Sequence, residues 1–383
     1  MKRMKWWMVF TSILLLLAVS ACGGGSDDSS AEGENGGDDA AADTSVPIVL
    51  RAATGLSAQH AWWENSMVPW MEKVEELTDG QVEFETFTGG ELVTTPEEAE
   101  AVQNGTIDVG LVLPIYEPDQ FPMAEVTMLP LTHSDTLIAS KAWKKLVESD
   151  EELADGMTYS EMQFDGFHVF PLSTTQEYSI STTGHKFNSV SDIEGTSLRT
   201  PSRIHEIYSE KTGINSVTMP AVEMYDAMSR GAFEGSFYSI ADWSGYGFQD
   251  LFQYTVTGVN FGHFNAMIGM SEDTWKELPE HVQDAMEEAH EDIFEPGAQE
   301  WMDRAEEMVE FNESEGGTFV DFEDLDQDVQ DHFVKGIEDT WYEYIELLNN
   351  NGLPGEEVAA MWRDLLIEEG GEVPEAVMDF EDE

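Results

Sequence analysis

Residues 188–239 read NSVSDIEGTSLRTPSRIHEIYSEKTGINSVTMPAVEMYDAMSRGAFEGSFYS. The stretch 197–200 has strand character, and Ser202 opens a helical stretch, 202–212, that Gly213 closes. A second strand at 216–219, a helix over 221–230 stopped by Gly231, and a third strand at 233–238 complete a strand, helix, strand, helix, strand run. The same order is written earlier in the chain. Ile48 to Ala53 is a short apolar strand, and Trp63, Met67, Trp70, Met71, Val74 and Leu77 recur along one helix face that ends at Gly80. Val82, Phe84 and Thr86 alternate with Glu83 and Glu85, as in a half-buried strand. Thr95, Pro96, Glu97 and Glu98 form a capping-box start, Gly105 stops that helix, and 107–113 reads as a buried strand. Ala101, Gly105 and Asp108 carry the spacing of Ala227, Gly231 and Glu234.

This alternation predicts an α/β protein of predominantly parallel sheets, in two lobes with a cleft between the carboxyl ends of their strands. Beyond Ser271, which caps a helix bearing Trp275, Leu278, Val282, Met286, Ala289 and Ile293, the pattern turns helical, with further helices at 301–311, 329–348 and 356–367. These are expected to brace both lobes. The expected boundaries are 46–172 with 265–304 for lobe I, and 173–264 with 305–371 for lobe II and the C-terminal helices. An acidic, loosely ordered tail is expected over 372–383.

The 383 residues hold 78 Asp and Glu against 17 Lys and Arg, a formal net charge of −61. Most of such a surface repels a polyanion, which excludes nucleic-acid binding. We read the acidity as adaptation to salty surroundings, where charges are screened at short range. A hydrophobic content of 41%, with 20 Phe and 11 Trp, supplies a sizeable core and excludes wholesale disorder. Lys2, Arg3 and Lys5 precede an apolar run from Trp6 to Val19, too short to span a bilayer, so 1–21 reads as a secretory signal. Val19-Ser20-Ala21-Cys22 resembles a bacterial lipobox, which makes Cys22, the one cysteine of the sequence, the expected site of lipidation. A single cysteine excludes an internal disulfide. Residues 22–45 are rich in Gly, Ser, Asp, Glu and Ala without an aromatic residue, the composition of a disordered tether. The expected location is extracytoplasmic, in the periplasm or at the outer face of the cell membrane, with attachment through the lipid.

The sequence contains no HExxH, no GxSxG, no Walker loop and no GxGxxG opening a helix, so neither an enzyme nor a cofactor is expected. Asp324, Asp326 and Asp328 begin like an EF-hand loop, but Val329 and Lys335 occupy its sixth and twelfth positions, and no metal is expected. His60, beside Trp62 and Trp63 at a strand-to-helix turn, is the histidine expected to face the cleft.

The 188–239 stretch resembles the solute-binding proteins of tripartite ATP-independent periplasmic (TRAP) transporters, DctP type. Asp192, Gly195, Leu198 and Arg199 match the first part of that family's pattern. Gly213, Met219, Pro220, Glu223, Tyr225, Ala227, Gly231, Glu234 and Gly235 match the rest, Glu234 standing where the family usually has Asp. GGEL at 89–92, NGTIDVG at 104–110, MLPL at 128–131 and LPEHVQDAMEEA at 278–289 extend the resemblance over residues 47–350. It implies a two-lobed, periplasmic-binding-protein-like fold with long C-terminal bracing helices. It also implies that Arg199 projects into the cleft and grips a ligand carboxylate as a bidentate pair, for which a planar fork of donors is suited.

Some members carry a second cleft arginine where this sequence has Ser179, and an asparagine where it has Tyr238 behind Phe237. Fewer positive groups and more aromatic surface point to a ligand with one carboxylate, or sulfonate, and an apolar or hydroxylated remainder. Glu177, Tyr178, Trp243 and Asn265 lie in stretches expected to border the cleft. The resemblance further implies a monomer that closes two lobes around a small organic acid and delivers it to the TRAP membrane permease subunits. Two alternatives stand beside it: a binding lipoprotein of an ATP-driven importer or sensor system, and, from another class, a secreted hydrolase, which would need a nucleophile or metal set.

Overall fold

The computed structural model describes residues 47–153, 156–378 and 380; the expected signal, Cys22, the tether, and 379 and 381–383 of the acidic tail lie outside the described residues. The first lobe begins with β1 (Ile48–Ala53), α1 (Val68–Leu77), β2 (Val82–Phe87), α2 (Glu98–Gln103), β3 (Val109–Val112), α3 (Thr136–Val147), α4 (Tyr159–Gln163) and β4 (Phe167–Pro171). The second lobe follows with β5 (Tyr178–Thr182), α5 (Val190–Ile193), β6 (Ser197–Thr200), α6 (Arg203–Thr212), β7 (Asn215–Thr218), α7 (Ala221–Ser229), β8 (Gly235–Ser239), α8 (Trp243–Tyr246) and β9 (Tyr254–Thr257). The chain then returns to the first lobe for β10 (Met267–Ser271) and α9 (Glu272–Glu277). It ends with α10 (Glu280–Ser314), β11 (Thr318–Asp321), α11 (Gln327–Asn350) and α12 (Gly355–Glu368).

There are two sheets, ordered β2-β1-β3-β10-β4 and β11-β9-β5-β8-β6-β7. The repeated sequence order becomes a repeated topology. β1 lies between β2 and β3, and β6 between β7 and β8, all parallel. The echoed spacing also has a structural counterpart. Gly105 and Gly231 both close their helices at positive φ, 72° and 76°. Three residues on, Asp108 Oδ2 accepts from the Arg51 amide of β1 at 2.8 Å, and Glu234 Oε2 accepts from the Ser197 amide of β6 at 3.0 Å. A carboxylate at that spacing fastens the start of the third strand to the first.

The sheets are mixed rather than predominantly parallel. β10 runs antiparallel to both β3 and β4, and β5 antiparallel to both β8 and β9. Each of these strands is entered from the crossing between lobes, so its direction is set by where the chain arrives and not by its own residues. The two crossings, 172–177 and 258–266, pair with each other: the amides of Leu172, Thr175 and Tyr178 donate to the carbonyls of Ala266, Phe264 and Gly262, each at 2.9 Å. This short ladder is the hinge. At Gly262 the backbone has φ +88°, and a Cβ there would stand 2.4 Å from the Met128 carbonyl.

α10 is the third connection between the lobes. It packs on α1 and α3 of the first and on β11 and the Ile240–Asp242 turn of the second. It runs unbroken through Pro296, so the separate helix expected at 301–311 is its second half. Tertiary packing on both sides of the proline outweighs the lost amide bond there. α11 lies on α6, where Gly336 permits close approach: a Cβ there would stand 2.4 Å from Thr212 Cγ2. α12 lies on α3 of the first lobe and on α11. The tail is also more ordered than its acidity suggested. The Glu372 amide donates to the His133 carbonyl at 2.7 Å, and Val373, Val377 and Phe380 are buried, Phe380 under the Arg363 guanidinium. Apolar residues spaced among the acids supply burial that a charge count does not register.

Gly262→Ala is expected to destabilise the protein by about 2 kcal/mol or more, since both the left-handed backbone and the Met128 carbonyl oppose a side chain. Urea unfolding in concentrated KCl checks this, and an unchanged midpoint would refute it.

Candidate functional site

Arg199 stands near the carboxyl end of β6 and is completely buried. The other arginines among the described residues have ion-pair partners: Arg51 with Asp108, Arg203 with Glu125, Arg230 with Asp226, Arg304 with Glu64, and Arg363 with Asp364. Arg199 has none there. Its Nε donates to the Met219 carbonyl at 2.9 Å, Nη2 lies 3.5 Å from the Tyr116 hydroxyl, and Nη1 is buried with no acceptor. In a chain with 78 carboxylates, a guanidinium escapes pairing only where the fold keeps acids away from it.

The register puts Arg199 opposite Ser236 in β8, and Ser179 opposite Tyr238, so all four side chains share one face of the sheet. The Arg199 Cζ lies over the Tyr238 ring at 5.5 Å from its centroid, a cation–π contact. Tyr178, at the start of β5, packs on Tyr238 at 5.6 Å and on Phe264 of the hinge at 6.3 Å. The first lobe supplies the opposite wall. Tyr116 meets Phe264 at 5.0 Å, Trp62 meets Phe264 at 6.0 Å and Trp301 at 5.2 Å, and His60 stacks on Trp62 at 5.3 Å. Tyr246 of α8 closes the ring, edge-on to His60 at 6.0 Å. The result is an aromatic cage with one unpaired cation in it.

Polar contacts between the lobes include the following. Tyr116 reaches Arg199, as above. His60 Nε2 lies 3.3 Å from Asp242 Oδ2. Glu125, fully buried, accepts from the Arg203 amide at 3.0 Å and from its Nε at 2.9 Å, while Arg203 Nη2 donates to the Pro118 carbonyl at 2.6 Å. Burial raises the Glu125 pKa to about 7, against the pull of Arg203. Burial likewise raises Glu98 well above the carboxylate range and Glu117 to about 7, on the first-lobe side.

Of the expected site residues, Arg199, Tyr238, Ser179, Tyr178 and His60 are brought to this cage. Glu177, Trp243 and Asn265 are not. The charges acting on Glu177 are those of Asp135 and His133. Trp243 packs on Phe252 at 5.0 Å and stacks on Phe319 within the second lobe. Asn265 donates to the Ala124 carbonyl and to Thr127 Oγ1, tying the hinge to the first lobe. Glu177 and Asn265 each adjoin a cage residue in sequence, Tyr178 and Phe264. Tyr116, Tyr246, Phe264, Trp301 and Asp242 were not anticipated. Tyr116 had a readable signal, following Pro114 directly after a buried strand; Trp301, late in a long helix, had none.

Glu148, His290 and Glu291 place possible metal-ligand atoms within 4.8 Å of one another. Lys144 Nζ pairs with both carboxylates. Among the described residues no helix is long and apolar enough to cross a membrane.

Residues 53–346 match the description of the bacterial extracellular solute-binding protein family 7, DctP. The chain belongs to that family. This solute-binding protein is 28% identical over 177 residues to a monocarboxylate 2-oxoacid-binding periplasmic protein of Nostoc sp., an alignment covering 45% of this chain and 44% of that one. The chain thus spans less than half the length of that relative. It is 23% identical over 296 residues to the sialic acid-binding periplasmic protein of Vibrio cholerae, covering 76% and 87%. In fold it is similar to a TRAP solute-binding protein of Rhodoferax ferrireducens solved with copurified benzoate, with a TM-score of 0.74, 18% identity, and coverage of 84% and 98%. Relatives of this kind are binding proteins, not enzymes, and the family is extracytoplasmic.

His205, beneath this site, sets a pH dependence. Its Nε2 donates to the Phe261 carbonyl at 2.9 Å, and its Nδ1 accepts from the Ser202 hydroxyl at 2.8 Å, a neutral ring. Burial, with the nearby Arg199 charge, lowers its pKa to about 3. A lowered histidine pKa means that the unfolded chain takes up a proton below about pH 6.5 that the folded chain refuses, so stability is lost as pH falls from there. Between pH 7 and pH 5 the native protein is expected to lose about 2 kcal/mol more stability than His205→Gln. Denaturant unfolding at the two pH values checks this, and parallel losses would refute it.

Proposed function

We propose that this protein captures a small organic monocarboxylate with an aromatic or otherwise apolar body, and that the two lobes close on it. The buried, acceptor-less Nη1 of Arg199 inside an aromatic cage carries the reading. One cation calls for one anion, and a dry aromatic surround calls for a body that leaves water readily. The 2-oxoacid monocarboxylates of the Nostoc relative and the benzoate of the Rhodoferax protein support the ligand class. The carboxylate bridges the two lobes, since Tyr116 comes from one and Arg199 from the other, so binding favours the closed form. The closed complex then docks on TRAP membrane permease subunits, which take up the acid. A lipid on Cys22 holds the protein at the extracytoplasmic face of the membrane.

Calorimetry in concentrated KCl with benzoate and short 2-oxoacids tests the site. Arg199→Ala is expected to weaken binding by about 2 to 5 kcal/mol, the scale of a buried charge pair that loses one partner. Arg199→Lys is expected to recover little, because a point charge does not reproduce the fork. Unchanged affinity in Arg199→Ala would sink the assignment. Cell fractionation tests the anchor: wild-type protein is expected in the membrane fraction and Cys22→Ser in the soluble one, and identical partition would contradict lipidation.

A further inference from the structure

At the hydroxyl end of the tyrosine ring that supports the guanidinium, the cage holds a charge of the other sign. The Tyr238 hydroxyl donates to Asp242 Oδ2 at 2.6 Å. His60 Nδ1 accepts from the Trp62 amide at 3.3 Å, which leaves its proton on Nε2, directed at the same Oδ2. Asp242 is only 5% exposed, and its Oδ1 has no donor. It stands at the N-cap of α8 yet makes no capping bond, and a Cβ on Gly245 would come within 3.2 Å of Oδ1. The carboxylate is therefore built into the wall with one oxygen doubly satisfied and the other not at all. A buried acceptor left in that condition is costly. Its field is felt across the cage: burial first, then the Asp242 charge, raises the pKa of the Tyr238 and Tyr246 hydroxyls and keeps them protonated.

We infer that Asp242 is a specificity-determining residue of this site, accepting a hydrogen bond from a hydroxyl on the body of the ligand and rejecting a second ligand carboxylate. The inference rests on the monocarboxylate reading above and narrows it to hydroxylated monocarboxylic acids. Two groups in the cage lack partners, an Nη1 that needs an acceptor and an Oδ1 that needs a donor, and a single tyrosine ring separates the side chains that bear them. A hydroxybenzoate carries the complementary pair across one ring. The charge balance points the same way. Arg199 and one ligand carboxylate cancel, so the Asp242 charge remains, and apart from the His60 imidazole already directed at Asp242 no second basic side chain is among the residues described as walling the cage. A dicarboxylate would set its second anion beside Asp242 in a region of low dielectric.

Calorimetric titration of the purified protein in concentrated KCl with benzoate, 3- and 4-hydroxybenzoate, and the corresponding benzene dicarboxylates tests this. In the wild type at least one hydroxybenzoate is expected to bind about tenfold tighter than benzoate, and the dicarboxylates about tenfold weaker or worse. In Asp242→Asn both ratios are expected to shrink to within about threefold. Taking ratios within one variant removes any general loss of affinity, and the wild-type series needs no variant at all. If the wild type binds all three classes alike, or Asp242→Asn keeps both wild-type ratios, the role of Asp242 is overturned while the monocarboxylate reading stands. If no monocarboxylate binds, the two fall together.

Discussion

A guanidinium without a counter-ion, sealed between two lobes, is the constraint on which the rest of this molecule turns. Burying a charge is among the most expensive things a fold can do. Arg199 is held by one backbone carbonyl, one distant tyrosine hydroxyl and the face of Tyr238, and that set is incomplete because Nη1 has no acceptor. The deficit is located where an anion entering the cleft would remove it. A ligand that completes the set is held by contacts that do not exist when the lobes are apart, and closure and binding become one event.

The hinge makes such an event possible. Four connections join the lobes: two short paired crossings, the long helix α10, and the turn from α11 on the second lobe to α12 on the first. The buried apolar residues of the two lobes form one continuous cluster through the hinge and the C-terminal helices. Tyr116 with Arg199, His60 with Asp242 and Glu125 with Arg203 are polar contacts beside the aromatic ones of the cage.

The extreme acidity bears on the site by exclusion. Nearly every lysine and arginine of the body is engaged with a carboxylate at the surface, where salt screens the pairing and each pair is worth little. Low dielectric strengthens the field of Arg199, which among the described arginines is the one without an ion-pair partner.

The two α/β lobes, the order of their helices and strands, and Arg199 itself were legible in the sequence, because they depend on period, caps and glycines that act over a few residues. The paired carboxylates Asp108 and Glu234 belong to the same local grammar. The direction of β5 and β10 was not legible, since it follows from where the hinge delivers the chain. Nor was the order in the tail, where Val373, Val377 and Phe380 find a groove made by distant helices. The walls of the cage were the least legible part. Trp62, Tyr116, Phe264 and Trp301 come from segments separated by up to more than half the chain, and only the packing of one lobe on the other brings them around the guanidinium. Local pattern determined what each segment became, and contacts between segments far apart in sequence decided which side chains would share a dry space and which, like Glu177 and Asn265, would lie outside it.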